Sequence, residues 1–289
     1  MAMHSVAEMA ESTLASLRKI AKEKGQPLPV NLDDKDAVAK YMKSNNDKYV
    51  NEWNRQLKRQ KFDRVYNQSL WSGHTPIHFN FSNWQSSLQI NSKQADQLYQ
   101  KAQNLAKQMI GPDTKPFNVL LKGVPGTGKT SLALAMIDYI RHHGYRWDYV
   151  KQPDGTQNKS KRYVDVFFLA TDEMAELCSR KVNGDMQANN RLFQVIKLAK
   201  KTDVLVLDDF GTEGGMKGNV RPVRKDMQEY MYNITNARSG RKQTIITTNN
   251  DDNELKAMYN VKLISRLIPS DPQHVLDFND LLDVRASMI

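Results

Sequence analysis

The sequence predicts an α/β fold, a central parallel sheet flanked by helices. Three stretches carry that expectation. Phe117–Leu121 is a short apolar run leading into Gly123-Val124-Pro125-Gly126-Thr127-Gly128-Lys129-Thr130, and a helical pattern from Ser131 to His143 follows it. Val204–Leu207 is a second apolar run and ends in Asp208-Asp209. Gln243-Thr244-Ile245-Ile246-Thr247-Thr248 is a further strand segment and ends at Asn249. Short apolar runs alternating with helix-length segments of 3.6-residue period are the pattern of parallel strands joined by crossover helices. Such sheets bind ligands at the carboxyl ends of their strands. There these runs deliver glycines, acids and an amide.

The glycine stretch matches G-x-x-x-x-G-K-[ST], a phosphate-binding loop, and its strand–loop–helix setting is the one that motif requires. Glycines let the backbone wrap phosphates, and N–H groups at the helix start point at the anion. Gly123, Pro125, Gly126, Thr127, Gly128, Lys129, Thr130 and Ser131 are therefore the candidate ATP-binding residues. Lys129 would reach the β- and γ-phosphates, and Thr130 would offer a hydroxyl to Mg²⁺. Asp208 fits the second Mg²⁺ position, and Asp209 fits a base that orients the attacking water.

Composition narrows the class. The chain has 289 residues, room for one large or two modest domains at roughly 150 residues each. No apolar run approaches the ~18 residues of a membrane span. The first residues lack a signal core with a cleavage site. The lone cysteine, Cys178, excludes an internal disulfide and a cysteine-based zinc site. A reducing cytoplasm is the expected compartment. The formal net charge of +10 favours a polyanionic partner, nucleic acid before membrane.

The remaining elements follow in order. Residues 6–21 pattern as an amphipathic helix, ended by Pro27 and Pro29. Asp33 or Asp34 is placed to cap a helix through Met42. Residues 46–70 interleave Tyr49, Trp53, Leu57, Phe62, Val65 and Tyr66 with Arg55, Lys58, Arg59, Lys61 and Arg64. That suits single-stranded nucleic acid, and it equally suits a helix with an aromatic core stripe and a solvated basic face. Residues 71–91 read as a linker. His74 and His78 lack further ligands for a metal site. Residues 92–110 pattern as a helix with Ala95, Leu98, Ala102, Leu105, Ala106 and Met109 inward. Residues 142–162 suggest a surface hairpin or insertion. Strand 164–169 and helix 171–181 follow. The next helix, 187–201, turns Leu192, Val195, Ile196 and Leu198 inward and Arg191, Lys197, Lys200 and Lys201 outward. Gly211–Lys225 is a glycine-rich basic loop, either a contact loop or simply a flexible one. A helix to about Arg238, a helix at 261–267, a strand at 275–278 and a terminal turn or helix at 281–287 complete the chain.

The order of these features resembles the AAA+ ATPases, and within them the bacterial and phage replicative helicase loaders (DnaC/DnaI-like, with the IstB transposition ATPases close by). Leu205-Val206-Leu207-Asp208-Asp209-Phe210-Gly211 is similar to the loaders' Walker B motif. The resemblance implies that Asn249 in Thr247-Thr248-Asn249-Asn250 is the sensor-1 residue. It makes Arg266 in Ser265-Arg266-Leu267 the arginine finger and Arg285 the sensor-2 arginine. It also implies a reduced or absent helical lid, ATP and Mg²⁺ as cofactors, and a homo-oligomer in the ATP state. The implied partners are single-stranded DNA and the N-terminal domain of the hexameric replicative helicase, with no membrane. The expected organisation is a helical partner-binding domain at 1–70, the linker at 71–91 and the ATPase domain at 92–289. The rival expectation is an IstB-like nucleotide-gated DNA adaptor. Asp209 stands where AAA+ motors commonly carry glutamate, and its shorter side chain implies slow turnover.

Overall fold

A computed structural model describes residues 34–151, 155–216 and 218–284. The helix expected at 6–21 and Arg285 lie outside these residues. The chain divides into two units, residues 1–61 and 62–289.

In the first unit the two segments expected at 33–42 and from 46 onward run as one helix, α1 (Lys35–Asp63), which crosses into the second unit at its end. Asp34 opens it, its carboxylate accepting from the Ala37 N–H at 3.0 Å. Tyr49, Val50 and Trp53 are exposed. The side chains of Arg55, Lys58, Arg59 and Lys61 lie outside the described ones.

The second unit holds a five-stranded sheet in the order β4-β5-β8-β1-β9, every neighbouring pair parallel. The strands are β1 (Asn118–Lys122), β4 (Val166–Ala170), β5 (Val204–Asp208), β8 (Gln243–Thr248) and β9 (Val275–Asp277). β4, β5 and β8 are buried along their whole length. This is the consequence of helices on both faces, and it is why β4 and β5 read as continuous apolar runs. Two apolar clusters lie on the two faces of the sheet. Leu120, Phe167, Leu205 and Ile246 belong to one, and Val119, Leu121, Phe168, Val206 and Ile245 to the other.

On one face pack α2 (Ser92–Met109) and α3 (Lys129–His143). All six residues expected inward on α2 are buried, and Asn91 caps it by accepting from the Gln94 N–H at 3.2 Å. The hairpin expected between 142 and 162 is present as β2 (Tyr145–Lys151) paired antiparallel with β3 (Gln157–Tyr163). α4 (Thr171–Val182), α5 (Met186–Lys201) and α6 (Lys225–Arg238) supply side chains to the other cluster. On α5, Leu192 and Val195 are buried as expected, while Ile196 and Leu198 pack only partly against the core. Arg191 does not point to solvent, contrary to its helical-wheel position. Its guanidinium reaches the Gln68 carbonyl at 2.7 Å, because the preceding segment folds back over α5.

That segment also explains the other half of the aromatic stripe. Val65, Tyr66 and Trp71 are core residues. Leu70 forms an isolated parallel bridge with Leu169 at the edge of the sheet, and Trp71 stacks on Phe168 at 4.2 Å. The glycine-rich loop after β5 is ordered into a short turn (Thr212–Gly214) and a two-residue ribbon, β6 (Gly215–Met216) with β7 (Asn219–Val220). After α7 (Asp252–Met258) and α8 (Val261–Leu267) the chain adds β9. It then runs without helix through residue 284, so the first four residues of the terminal turn or helix expected at 281–287 form a bend and irregular chain, and the rest lies outside the described residues. Among the described residues, no helix is long and apolar enough to cross a membrane.

Candidate active site

The site assembles at the carboxyl ends of β1, β5 and β8. Between β1 and α3 the glycine loop turns through left-handed backbone at Gly126 (φ 76°) and Gly128 (φ 94°). Two close approaches also demand glycine there. A Cβ on Gly126 would lie 1.9 Å from Asp283 Oδ1, and one on Gly128 would lie 2.9 Å from the Trp84 indole. The loop is stiffened from within. Thr127 Oγ1 donates to the Val124 carbonyl at 2.9 Å, and Lys129 Nζ donates to the carbonyls of Gly123 (2.9 Å) and Val124 (2.7 Å). The C-terminal segment crosses the loop. Val284 N–H donates to the Gly126 carbonyl at 3.1 Å. Gln89 pins the crossing by donating to the Leu282 carbonyl and accepting from the Leu282 N–H, both at 2.9 Å.

Asp208 ends β5. Its Oδ1 accepts from Thr130 Oγ1 at 2.9 Å and from Thr247 Oγ1 at 2.7 Å. Thr247 sits on β8, the strand between β5 and β1, and its hydroxyl ties the Asp208 side chain to the Asp209 backbone, while Thr130 links the loop to Asp208 directly. Burial, reinforced by the neighbouring charge of Asp209, pushes the Asp208 carboxyl up to about 6. Asp209 follows with φ 51°, a backbone region costly for a residue with a side chain. The turn is held because the Asp209 N–H donates to Thr247 Oγ1 at 2.9 Å. Asn249 Nδ2 reaches Asp209 Oδ1 at 3.4 Å, and Asn249 Oδ1 is buried without a partner. The five residues Thr130, Asp208, Asp209, Thr247 and Asn249 thus form one connected group, with Lys129 next to Thr130 in the chain and its ammonium held by the loop carbonyls.

The donors fit a hard divalent cation: a hydroxyl and a carboxylate oxygen, bridged by a hydrogen bond that a metal would replace. Among the described residues no cluster of three or more His, Cys, Asp or Glu is poised for a metal. A Mg²⁺ ion held by Thr130 and Asp208 would therefore complete its shell with phosphate oxygens and water.

Arg266 is not brought to this group. It lies at the end of α8, and its backbone carbonyl accepts from the Asn118 side chain at 3.0 Å. Asn118 begins β1, whose other end feeds the loop, so the two are separated by the strand length, about 13 Å at 3.3 Å per residue. The Arg266 guanidinium lies over the Tyr232 ring at 5.4 Å.

Sequence reading missed Thr247 in its bridging role, Trp84, Asp283, Gln89 and Glu213. The signal for Thr247 was present, since its neighbour Asn249 was singled out. Glu213 carried none. It is half-buried beside the acids, accepts from the Gly211 N–H at 3.1 Å and contacts Thr171 and Tyr259. Burial pushes it up to about 7.

This loop, acid pair and amide on a parallel sheet define a P-loop nucleoside-triphosphatase domain. The sequence model described as "ATPase family associated with various cellular activities (AAA)" matches residues 119–269. The chain belongs to that family, and its AAA domain is a nucleotide-binding one. No curated protein matches it in sequence. Among solved structures it is similar to DnaI, with 14% identity over 72% of this chain and 95% of that one (TM-score 0.49). It is also similar to the DnaC helicase loader, with 18% identity over 68% and 95% (TM-score 0.42). AMPPCP-bound DnaA from Aquifex aeolicus shows 15% identity over 69% of this chain and 49% of its own (TM-score 0.45). The chain thus spans about half the length of the DnaA structure. With TM-scores below 0.5, these likenesses carry no argument about function.

Proposed function

We propose that this protein is an ATP-dependent loader of the hexameric replicative helicase onto single-stranded DNA, hydrolysing ATP as an oligomer. The observation that carries the oligomer is the position of Arg266. It is held at the amino end of β1, opposite its own nucleotide loop, and can complete only a neighbour's site. A finger supplied in this way is worth roughly 10³–10⁵ in rate.

In that mechanism Lys129 and the loop amides hold the triphosphate, and Thr130 and Asp208 hold Mg²⁺. Asn249 aligns Asp209, which orients water. Mg²⁺ supplies charge neutralisation of the phosphates. Residues 1–61 act as the helicase-binding domain and 62–289 as the ATPase domain, because the segment expected as the end of the former and a linker packs into the latter through Val65, Tyr66, Trp71 and Gln89. Two features support the first assignment. Tyr49, Trp53 and Leu57 repeat at helical spacing on α1, and the two aromatics are 77% and 64% exposed. An apolar stripe of that kind is suited to a partner helix or groove.

Native mass measurement of the protein mixed with its cognate replicative helicase tests the reading. An ATP-dependent complex, absent with ADP and lost in Arg266→Ala together with ATPase activity but not ATP binding, is the expected result. No complex in either nucleotide, with ATP-dependent DNA binding intact, would replace it with the IstB-like transposition adaptor.

A further inference from the structure

The β2–β3 hairpin has two unlike faces. Strand alternation puts Arg146 and Arg162, directly paired, on the inner one. Both are tied to the body. Arg146 donates to the carbonyls of Met109 (3.2 Å) and Gly111 (3.1 Å) and to the Gln243 side chain (3.0 Å). Arg162 pairs with Asp203, its Nη2 at 3.0 Å from Oδ1, and with Asp148. The hairpin is therefore not a loose flap.

The opposite face carries Tyr145, Trp147, Tyr149 and Lys151 from β2, paired with Tyr163, Lys161, Lys159 and Gln157 from β3. Four rings and three ammonium groups share one surface, and none of these eight residues is an acid. Lys159 Nζ lies 4.3 Å from the Trp147 ring centre, and Lys161 Nζ lies 4.3 Å from that of Tyr145. Both lysines are exposed, and Tyr149 is 61% exposed. A ring that packs only for stability is normally covered, as Trp71 is. Here Tyr149 and Tyr163 are exposed, Tyr163 with one edge against Phe62, and Tyr145 and Trp147 are half-buried with lysine ammonium groups over their rings.

We propose that this face is a binding platform for single-stranded DNA. Rings spaced two residues apart along a strand, about 6.8 Å, offer stacking surfaces to successive unpaired bases, which a duplex would keep hidden. Lys151, Lys159 and Lys161 offer counter-charges to the intervening phosphates. Aromatic platforms beside cationic grooves bind single strands in this sequence-tolerant way. The inner arginines hold the platform rigid, so little ordering cost falls on binding. The proposal rests on the reading that the protein grips single-stranded DNA, and it names the surface that does so.

The test is anisotropy of labelled oligo-dT with the full-length protein and ATP across a salt series. Tyr149→Ala removes one ring at the free end of the hairpin and leaves both anchors alone. It should weaken binding by roughly 5- to 150-fold. Lys159→Gln with Lys161→Gln should reduce the slope of log K against log salt by about 1.4, the share of two phosphate contacts on a single strand. Iodouracil cross-links should map to residues 145–163. If wild type binds but neither variant changes affinity or slope, or cross-links fall elsewhere, the hairpin assignment fails and DNA binding survives. Tighter binding to oligo-U would overturn the assignment to DNA. No binding by wild type would remove both readings.

Discussion

The two ends of the central sheet are built on opposite terms. At the amino ends of β5 and β8 sits Arg238, buried, its guanidinium donating to the carbonyls of Ala199 (2.7 Å), Thr202 (2.9 Å) and Asp203 (3.4 Å) and to Thr244 Oγ1 (3.1 Å). Nearby Asp203 is held below the usual carboxylate range. Burial pushes it up, but the Arg162 hydrogen bond, the Arg162 charge and the Asp165 N–H outweigh that. At the carboxyl ends the terms reverse. Asp208 and Glu213 are raised to about 6 and about 7, Asp209 has a positive φ, and Asp172 and Asn249 each bury an oxygen without a partner. One end sets a buried guanidinium, lowered to about 9 by its burial, on backbone carbonyls and a β8 hydroxyl and so ties the strands together. The other keeps acids concentrated in a dry site where a cation and triphosphate would find them. Stability is stored at one pole and reserved for chemistry at the other.

That contrast can be broken from the stable end first. Arg238→Met leaves the carbonyls of Ala199, Thr202 and Asp203 and the Thr244 hydroxyl at the amino pole without their donor. It should cost about 3–5 kcal/mol, the scale for removing one member of a buried ionic and hydrogen-bonded set, read as a lowered denaturant midpoint. Nucleotide affinity of the remaining folded fraction should be unchanged.

The carboxyl pole should respond in the opposite sense. Asp208→Asn keeps an oxygen that can accept from Thr130 and Thr247 and removes a buried charge. The protein without nucleotide should gain up to about 3 kcal/mol above neutral pH, from a pKa raised from 3.8 to about 6. The same variant should lose Mg²⁺-dependent ATPase by roughly 10²-fold or more. A loss of stability instead would show that the acid end is not under strain.

Glu213→Gln sharpens the comparison through pH. An acid whose folded pKa is raised binds more protons folded than unfolded between its two pKa values, here 4.5 and about 7. Its ionisation therefore costs stability that is returned as pH falls through 7 towards 4.5. The span is on the order of 3 kcal/mol. A pH series of unfolding free energies should show wild type gaining stability towards pH 5, and the variant a flatter curve over that range.

The smallest effect belongs to Thr247→Val. It removes one donor to Asp208 and the acceptor of the Asp209 N–H, which should cost about 1–2 kcal/mol and raise the Asp208 carboxyl further. The Mg²⁺ concentration needed for ATP binding should rise at pH 6 more than at pH 8.

Much of this was legible in the residues. The strands at 118–122 and 204–208 carry unbroken apolar stretches, Val119–Leu121 and Val204–Leu207, and 243–248 is short and β-branched, because both faces of the sheet are covered. The glycine loop declares itself because only glycine tolerates its backbone. The inward face of α2 was read in full because a helix buried along one stripe must repeat at that spacing. Asp208 and Asn249 were found as strand-end residues. The exceptions were residues whose neighbours lie far away in sequence. Arg191 has the pattern of a solvated arginine, yet it binds a carbonyl 123 positions away. Val65 and Tyr66 read as continuous with Tyr49 and Trp53, yet the first two are core and the last two exposed, and Trp71, read as linker, is core as well.

Sequence by itself therefore determined the class of fold, the phosphate loop and the acids, because each is a local pattern dictated by backbone conformation or by burial period. Only the tertiary structure decided how they connect. It placed Thr247 between the two acids, laid Asp283 across Gly126 and gathered the hairpin's rings on its outer face. It also set Arg266 at the far end of the sheet from its own nucleotide loop. Those are through-space relations fixed by strand order, and strand order is not periodic in the chain.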